Sequence, residues 1–153
     1  MASTIWQALG SIFFWVSWPA QFVLVPFTKR ARIIVLSDNK LLLVRVWHGN
    51  GLYTLPGGGI KPYEDEYSAA KRELAEETGI RPSMLTKIDN FKSRTHGVLS
   101  NITVFKLTLV AQPSIISRPL EITDHIWLHK DQIAKDIRVH PEARKIYLKY
   151  GKI

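Results

Sequence analysis

The sequence contains no cysteine among its 153 residues. This absence excludes disulfide frameworks, thiolate zinc sites and cysteine nucleophiles. Acidic residues are also few: 13 aspartates and glutamates stand against 21 lysines and arginines, which leaves a formal net charge of +8. A basic surplus favours anionic partners such as polyphosphates, nucleic acid or an anionic membrane surface, although a basic protein without any such partner has the same composition.

Charged residues are missing from one long stretch, residues 5–27, which contains three tryptophans and is followed by a basic cluster at 29–32. Its length approaches the roughly 20 residues that a membrane-spanning helix needs, but Pro19 and several polar residues interrupt it. Three roles stay open: the stretch anchors the chain in or on a membrane, docks on a partner subunit, or folds back over an apolar surface. We therefore expect an apolar helical segment at 1–28, a folded domain at 29–153, and a cytoplasmic location, with the inner face of a membrane as the alternative.

Beyond residue 28, short apolar runs alternate with polar turns. The pattern predicts a long helix at 65–78 and short helices at 130–135 and 141–150. It predicts strands at 32–36, 41–47, 52–55, 87–91, 102–110 and 125–129. Strands before and after one central helix indicate an α/β (α+β) fold, with a mixed sheet and helices on its faces.

Three glutamates in the long helix, Glu73, Glu76 and Glu77, are spaced so that they share one helix face. Three like charges at that spacing repel one another unless a positive charge neutralises them, and the neighbouring Lys71 and Arg72 are too few. Clustered carboxylates are ligands that suit Mg²⁺ or Mn²⁺. The three glutamates alone are equally explained by a solvated acidic surface.

Three consecutive glycines, at 57–59, come shortly before this helix, so their backbone amides can face phosphate oxygens next to the glutamates. The whole stretch 58–80, GGIKPYEDEYSAAKRELAEETGI, resembles the signature of the Nudix hydrolase family. The matching positions are Gly58, Glu64, Arg72, Glu73, Leu74, Glu76, Glu77, Gly79 and Ile80.

The resemblance implies a Nudix-like α/β/α sandwich and a role for each matching residue. It implies that Glu73, Glu76 and Glu77 bind the catalytic Mg²⁺ or Mn²⁺ together with the main-chain carbonyl of Gly58. It also implies that Arg72 orients the carboxylates, Glu64 braces the loop on the helix, and Gly79 ends the helix.

A further catalytic acid often lies in a late loop of the family, and Glu121, six residues before Trp127, has a similar placement. An exposed loop carboxylate is the alternative interpretation of Glu121. The expected substrate contacts are Arg45, Gly57, Gly58 and Lys61, although each basic residue among them could equally be a surface charge. Members of the family often form homodimers, so the resemblance allows a homodimer here but leaves the oligomeric state open.

The resemblance implies a divalent-metal-dependent pyrophosphohydrolase that cleaves a nucleoside diphosphate linked to another moiety, X, by attack of water on phosphorus. Three alternatives stay open: removal of pyrophosphate from RNA 5′ ends, hydrolysis of a lipid-linked diphosphate at a membrane, and a binding module without activity. Nucleic acid is the less favoured partner, because no tract combining aromatic and basic residues accompanies the positive charge.

Overall fold

The structure, a computed structural model, describes residues 27–47, 50–95, 98–116 and 121–151. The apolar segment predicted at 1–28 therefore lies outside the described residues, except for Phe27 and Thr28. The strands are β1 (Phe27–Ser37), β2 (Lys40–Val46), β3 (Thr86–Thr95), β4 (Val98–Thr108) and β5 (Ile122–His129). The helices are α1 (Glu66–Thr78) and α2 (Pro141–Tyr150). Within the described ranges, neither helix has the length and apolar character needed to cross a bilayer.

The five strands form one mixed sheet in the order β3-β4-β1-β2-β5. The central strand β1 runs parallel to β4 over ten paired residues, from Phe27 opposite Leu99 to Leu36 opposite Thr108. The other neighbouring pairs, β1 with β2, β2 with β5 and β3 with β4, are antiparallel. The predicted mixed sheet is confirmed.

Each face of the sheet is covered by one helix, because β1 points alternate side chains into two separate cores. Ala31, Ile33 and Val35 pack with Ala70 and Leu74 of α1. On the opposite face, which we call the α2 face, Ile34 and Leu36 pack with the apolar side chains of α2, namely Ala143, Ile146, Tyr147 and Tyr150. The arrangement is the predicted α/β/α sandwich.

Two predicted elements differ from the structure. Residues 130–135 form successive turns rather than a helix, since Gln132 N–H donates to the carbonyl of His129 and Lys135 N–H donates to that of Gln132. Residues 52–55 form isolated bridges, Tyr53 with Val139 and Thr54 with Val44, rather than a strand. In both places the backbone groups form single, separate hydrogen bonds, so neither a regular helix nor a regular strand results.

Candidate active site

The helix α1 is fixed at both ends by its own sequence. Asp65 precedes it, and its carboxylate accepts hydrogen bonds from the backbone N–H groups of Tyr67 and Ser68, each at 2.9 Å. Gly79 follows it with φ +76°, a conformation that favours glycine, and donates its N–H to the carbonyl of Ala75. The helix end predicted at Gly79 is confirmed, and the caps hold the glutamates of α1 in a defined position.

Arg72 lies among three carboxylates of the predicted site, those of Glu64, Glu73 and Glu76. One of its terminal nitrogens, Nη1, donates to Glu73 at 2.7 Å and to Glu76 at 3.1 Å. The side chains of Glu73 and Glu76 are only 16% and 23% exposed, so their charges are close together and partly shielded from water. Arg72 therefore supplies the positive charge that keeps the two carboxylates side by side.

The same guanidinium also joins the helix to the preceding loop. Its Nε and Nη2 donate to the two oxygens of Glu64, both at 2.8 Å, and Nη2 also donates to the carbonyl of Gly59 at 3.0 Å. Glu64 accepts a further bond from the backbone N–H of Lys61. The hydrogen bonds from Arg72 lower the pKa of Glu64 to about 2. This geometry matches the bracing role expected for Glu64.

Glu77 is buried beneath the glycine loop, and its Oε2 accepts a 2.7 Å hydrogen bond from the backbone N–H of Gly57. Burial raises the pKa of the Glu77 carboxyl to about 8; the Gly57 hydrogen bond and the charge of Arg32 oppose the rise, whereas Glu73 and Glu121 add to it. Removal from water disfavours the charged form, and a nearby cation would favour it again. A cation near Glu77 would therefore stabilise the ionised form of this carboxyl group.

The glycine loop approaches both the central strand and the helix closely. Gly57 has φ +125°, and a Cβ at that position would lie 2.2 Å from the carbonyl oxygen of Ala31. A Cβ at Gly58 would lie within 3 Å of the Glu73 carboxylate. The carbonyl of Gly58 accepts a hydrogen bond from Ala31 N–H at 3.0 Å, so one of its two lone pairs stays available to a cation.

Arg32 is a site residue that sequence reasoning missed. It is buried, and its Nη1 donates to the carbonyls of Gly57 at 2.6 Å and Leu55 at 3.3 Å. Its Nε lies 3.3 Å from the carboxylate of Glu142 at the start of α2. Arg32 therefore holds the glycine loop from the α2 face, while Glu77 holds the same loop from the α1 face.

The remaining predicted site residues lie in different surroundings. Glu121 lies close enough to Glu77 for its charge to help raise the pKa of the Glu77 carboxyl. The backbone carbonyl of Glu121 accepts a hydrogen bond from the N–H of Trp47. Arg45 lies at the β2–β5 edge and donates to Asp124 at 3.1 Å, with its guanidinium 5.2 Å from the Tyr53 ring centroid. Lys61 is exposed in the loop before α1.

The oxygen donors near α1 can be compared with those that the predicted divalent cation requires. No group of three histidine or acidic side chains among the described residues is close enough to hold a metal ion unaided. The carboxylates of Glu73 and Glu76 share one nitrogen of Arg72, and Glu77 contacts the glycine loop; together with the Gly58 carbonyl they are hard oxygen donors on neighbouring parts of the chain. Such a set fits a cation that completes its coordination with water and substrate phosphate oxygens.

A cavity of about 450 Å³ opens on the α2 face beside Arg32. It is lined by Leu52, Phe91, Arg94, His140, Glu142 and Lys145, among others. Glu142 belongs to both the cavity wall and the Arg32 ion pair. A direct chain of contacts therefore runs from the cavity through Glu142, Arg32 and Gly57 to Glu77.

Two curated relatives align with part of this chain. A Bacillus subtilis (strain 168) protein, described provisionally as an 8-oxo-dGTP diphosphatase, is 33% identical over 82 residues, or 50% of this chain. A protein of Streptomyces ambofaciens described as MutT-like is 30% identical over 107 residues, or 69% of this chain. The matches span 55% and 65% of these relatives' own lengths.

The fold also matches solved structures. The NUDIX domain of Shewanella oneidensis NrtR, crystallised with ADP ribose, superimposes with a TM-score of 0.69 and 19% identity. That match covers 80% of this chain and 84% of the other. The NUDIX domain model matches residues 27–150, which includes every strand and helix of the structure. The chain therefore belongs to the NUDIX family.

Proposed function

We propose that this protein hydrolyses the phosphoanhydride bond of a nucleoside diphosphate linked to a second moiety, X. The observation that carries the proposal is the convergence of the glycine loop and the glutamate helix at the Gly57–Glu77 hydrogen bond. This bond holds the glycine loop, whose amides we propose to face phosphate, against the helix whose carboxylates we propose to bind a cation. The ADP ribose in the NrtR NUDIX domain and the diphosphatase description of the Bacillus relative fit this substrate class.

In this proposal the carboxylates of Glu73, Glu76 and Glu77 and the Gly58 carbonyl hold divalent metal ions, as members of the family generally do; Mg²⁺ and Mn²⁺ are the candidates. When bound, such a cation neutralises the diphosphate charge and makes an attacking water more acidic. Arg72 keeps Glu73 and Glu76 together, and Glu64 holds Arg72 in turn. The four groups form one preorganised unit.

The proposed reaction is a single displacement at phosphorus, with water as the nucleophile. Water attacks one phosphorus atom of the diphosphate, a glutamate accepts its proton, and the bond from that phosphorus to the bridging oxygen breaks. Glu76, which is partly exposed on α1, and Glu121, whose charge acts on Glu77, are the two candidates for the base. The products are a nucleoside monophosphate and phosphorylated X.

The remaining substrate contacts are assigned by their position. The Gly57 and Gly58 backbone, Lys61 in the same loop, and Arg45 contact the diphosphate or its flanking groups. Arg45 is already bonded to Asp124, so its contact with the substrate requires that pair to rearrange. The cavity beside Glu142 is large enough for one of the two moieties that flank the diphosphate.

The proposal is tested on a substrate panel with Mg²⁺, with Mn²⁺ and with EDTA. The panel contains ADP-ribose, a dinucleoside polyphosphate, 8-oxo-dGTP, 5′-triphosphorylated RNA and a lipid-linked diphosphate. We expect metal-dependent release of a monophosphate from at least one nucleotide. Preference for the RNA or the lipid would establish one of those alternatives instead, and binding without turnover would identify a non-catalytic module.

The Glu76→Gln variant tests the assignment of the site. It should lose activity by about a hundredfold or more, because it removes a cation ligand and a candidate base, while its circular dichroism stays unchanged. Glu66→Gln is the matched control on the same helix, since Glu66 pairs with Lys87 away from the glycine loop. An active Glu76→Gln protein that needs no metal would contradict the assignment.

The homodimer that the resemblance allows and the membrane role of residues 5–27 belong to the proposal as well. Light scattering of the full chain tests the first. Faster hydrolysis of the lipid-linked diphosphate than of the nucleotides would support the membrane role of residues 5–27 and a location at the inner face of a membrane.

A further inference from the structure

The cavity on the α2 face has more positive charge around it than its own acidic residue can balance. Arg94 and Lys145 line it, and Glu142 is the acidic residue in its wall. Glu142 is already engaged with Arg32 at 3.3 Å. The charge of the two basic residues of the wall is therefore not offset by this carboxylate.

Arg30 adds a third positive charge at this place. It lies two residues before Arg32 on β1, so both side chains point to the α2 face. Arg30 pairs in register with Ile102 of β4, and Ile102 pairs with Phe91 of β3, a residue of the cavity wall. Residues directly opposite one another in neighbouring strands share a face. Arg30 is therefore placed beside the cavity.

The two arginines of β1 differ in burial and in partners, since Arg32 is buried and Arg30 is partly exposed. Arg32 donates to two carbonyls and to Glu142. None of the described residues accepts a hydrogen bond from the Arg30 side chain. Burial and the charge of Arg32 lower the pKa of Arg30, and Glu142 opposes them. One carboxylate thus faces two guanidinium groups that stay charged at neutral pH.

A partly buried guanidinium that donates to no described residue has lost part of its hydration, and an anion bound in the cavity would supply hydrogen-bond acceptors and a compensating charge. We propose that one of the moieties flanking the hydrolysed diphosphate carries an additional phosphate group, which Arg30 binds with Arg94 and Lys145. Three cations suit a phosphate monoester, which carries a charge of about −1.5 to −2 at neutral pH. The inference rests on the proposed function and specifies its substrate class.

The anion site can be tested without catalysis. The full-length protein is titrated with inorganic phosphate in EDTA, where the glutamate site repels anions, and binding is followed by calorimetry. Arg30→Gln should weaken phosphate binding by about tenfold, because charge-assisted hydrogen bonds to the guanidinium are lost. Arg30→Lys should retain most of the binding, since it retains the charge. Lys135→Gln, which removes one exposed charge from the turn after β5, is the control and should bind as the unaltered protein does.

Matched substrates test the same inference in the reaction. ADP-ribose is compared with its 2′-phosphate, and dephospho-coenzyme A with coenzyme A, each pair differing by one phosphate. We expect kcat/KM to be about tenfold higher for the phosphorylated member of at least one pair, and Arg30→Gln to reduce that ratio to about one. For the unphosphorylated member, Arg30→Gln should change kcat/KM by less than about threefold.

Two results would overturn the inference: phosphate binding that Arg30→Gln leaves unchanged, or equal kcat/KM within both pairs in the unaltered protein. Arg30-dependent phosphate binding in a protein that hydrolyses no diphosphate would overturn the proposed function and leave only the anion site. Hydrolysis of both members of each pair at equal rates would overturn the additional phosphate alone.

Discussion

The backbone N–H of Gly57 and the carboxylate of Glu77 are joined by a 2.7 Å hydrogen bond across 20 residues of sequence. On the other side of Gly57, its carbonyl accepts a 2.6 Å bond from Arg32. One glycine residue is thus held from both faces of the sheet. The positions of the buried glutamate and of the loop that is proposed to face phosphate are consequently interdependent.

Gly57→Ala should therefore damage the site and the fold together. The new Cβ would lie 2.2 Å from the carbonyl oxygen of Ala31, and φ +125° is strained for any residue with a side chain. We expect a loss of about 3 kcal/mol in the free energy of unfolding, measured in urea, and a large loss of kcat. Gly59→Ala is the control, since its Cβ would meet no atom within 4 Å. Equal stability of the two variants would contradict the packing described for Gly57.

Replacing Arg32 with Met should destabilise the protein by about 3 kcal/mol, because it removes the largely buried ion pair with Glu142 and the hydrogen bond to the Gly57 carbonyl. Arg138→Met is the matched change at an exposed pair with Asp136, where the arginine side chain is 59% exposed. That change should cost about 1 kcal/mol or less. Chemical unfolding of both variants measures the difference, and similar losses would show that Arg32 has no special structural role.

Glu64 should contribute stability that depends on pH. Arg72 holds the pKa of Glu64 at about 2, below its ordinary value of 4.5. A lowered folded-state pKa means that the contribution is fully present above pH 4.5 and is lost as the pH falls toward 2. Glu64→Gln should therefore cost about 1 kcal/mol at pH 7, and the cost should shrink below pH 4.5. Urea unfolding at a series of pH values in EDTA measures it; a cost that is the same at pH 7 and pH 3 would exclude this cause.

Removing residues 1–26 should separate membrane binding from hydrolysis. The residues proposed to carry the reaction all lie beyond position 27, so the shortened chain should keep its kcat/KM on a water-soluble diphosphate. If residues 5–27 anchor the chain, it should no longer sediment with liposomes containing anionic lipid. Equal sedimentation of the two chains would reject the anchor and leave the partner-docking and fold-back roles.

The parts of the site that the sequence predicted are those determined by neighbouring residues. The spacing of Glu73, Glu76 and Glu77 follows from helix geometry, and Gly79 ends the helix because it can adopt a positive φ. These two relationships can be read from a single chain. The bracing role of Glu64, eight residues before Arg72, was instead implied by the resemblance to the Nudix signature.

Long-range relationships could not be predicted in the same way. The three partners of Arg32 lie 23, 25 and 110 residues away. In the sequence Arg32 simply begins an apolar run. The sequence did carry one indication of this role. Arg32, Ile34 and Leu36 alternate along a strand, so Arg32 lies on a strand face whose other residues are buried and apolar. The start of β1 at Phe27 also depends on a distant partner, because that end of the strand pairs with β4.

The attachment of the glycine loop to β1 has a consequence for motion. The N–H groups of Ala31 and Ile33 donate to the carbonyls of Gly58 and Pro56 rather than to a neighbouring long strand. These two amides therefore exchange with solvent only when the loop detaches, whereas amides bonded to β4 exchange when the sheet itself opens. Hydrogen–deuterium exchange at two residues would thus report the local unfolding of the glycine loop separately from that of the domain.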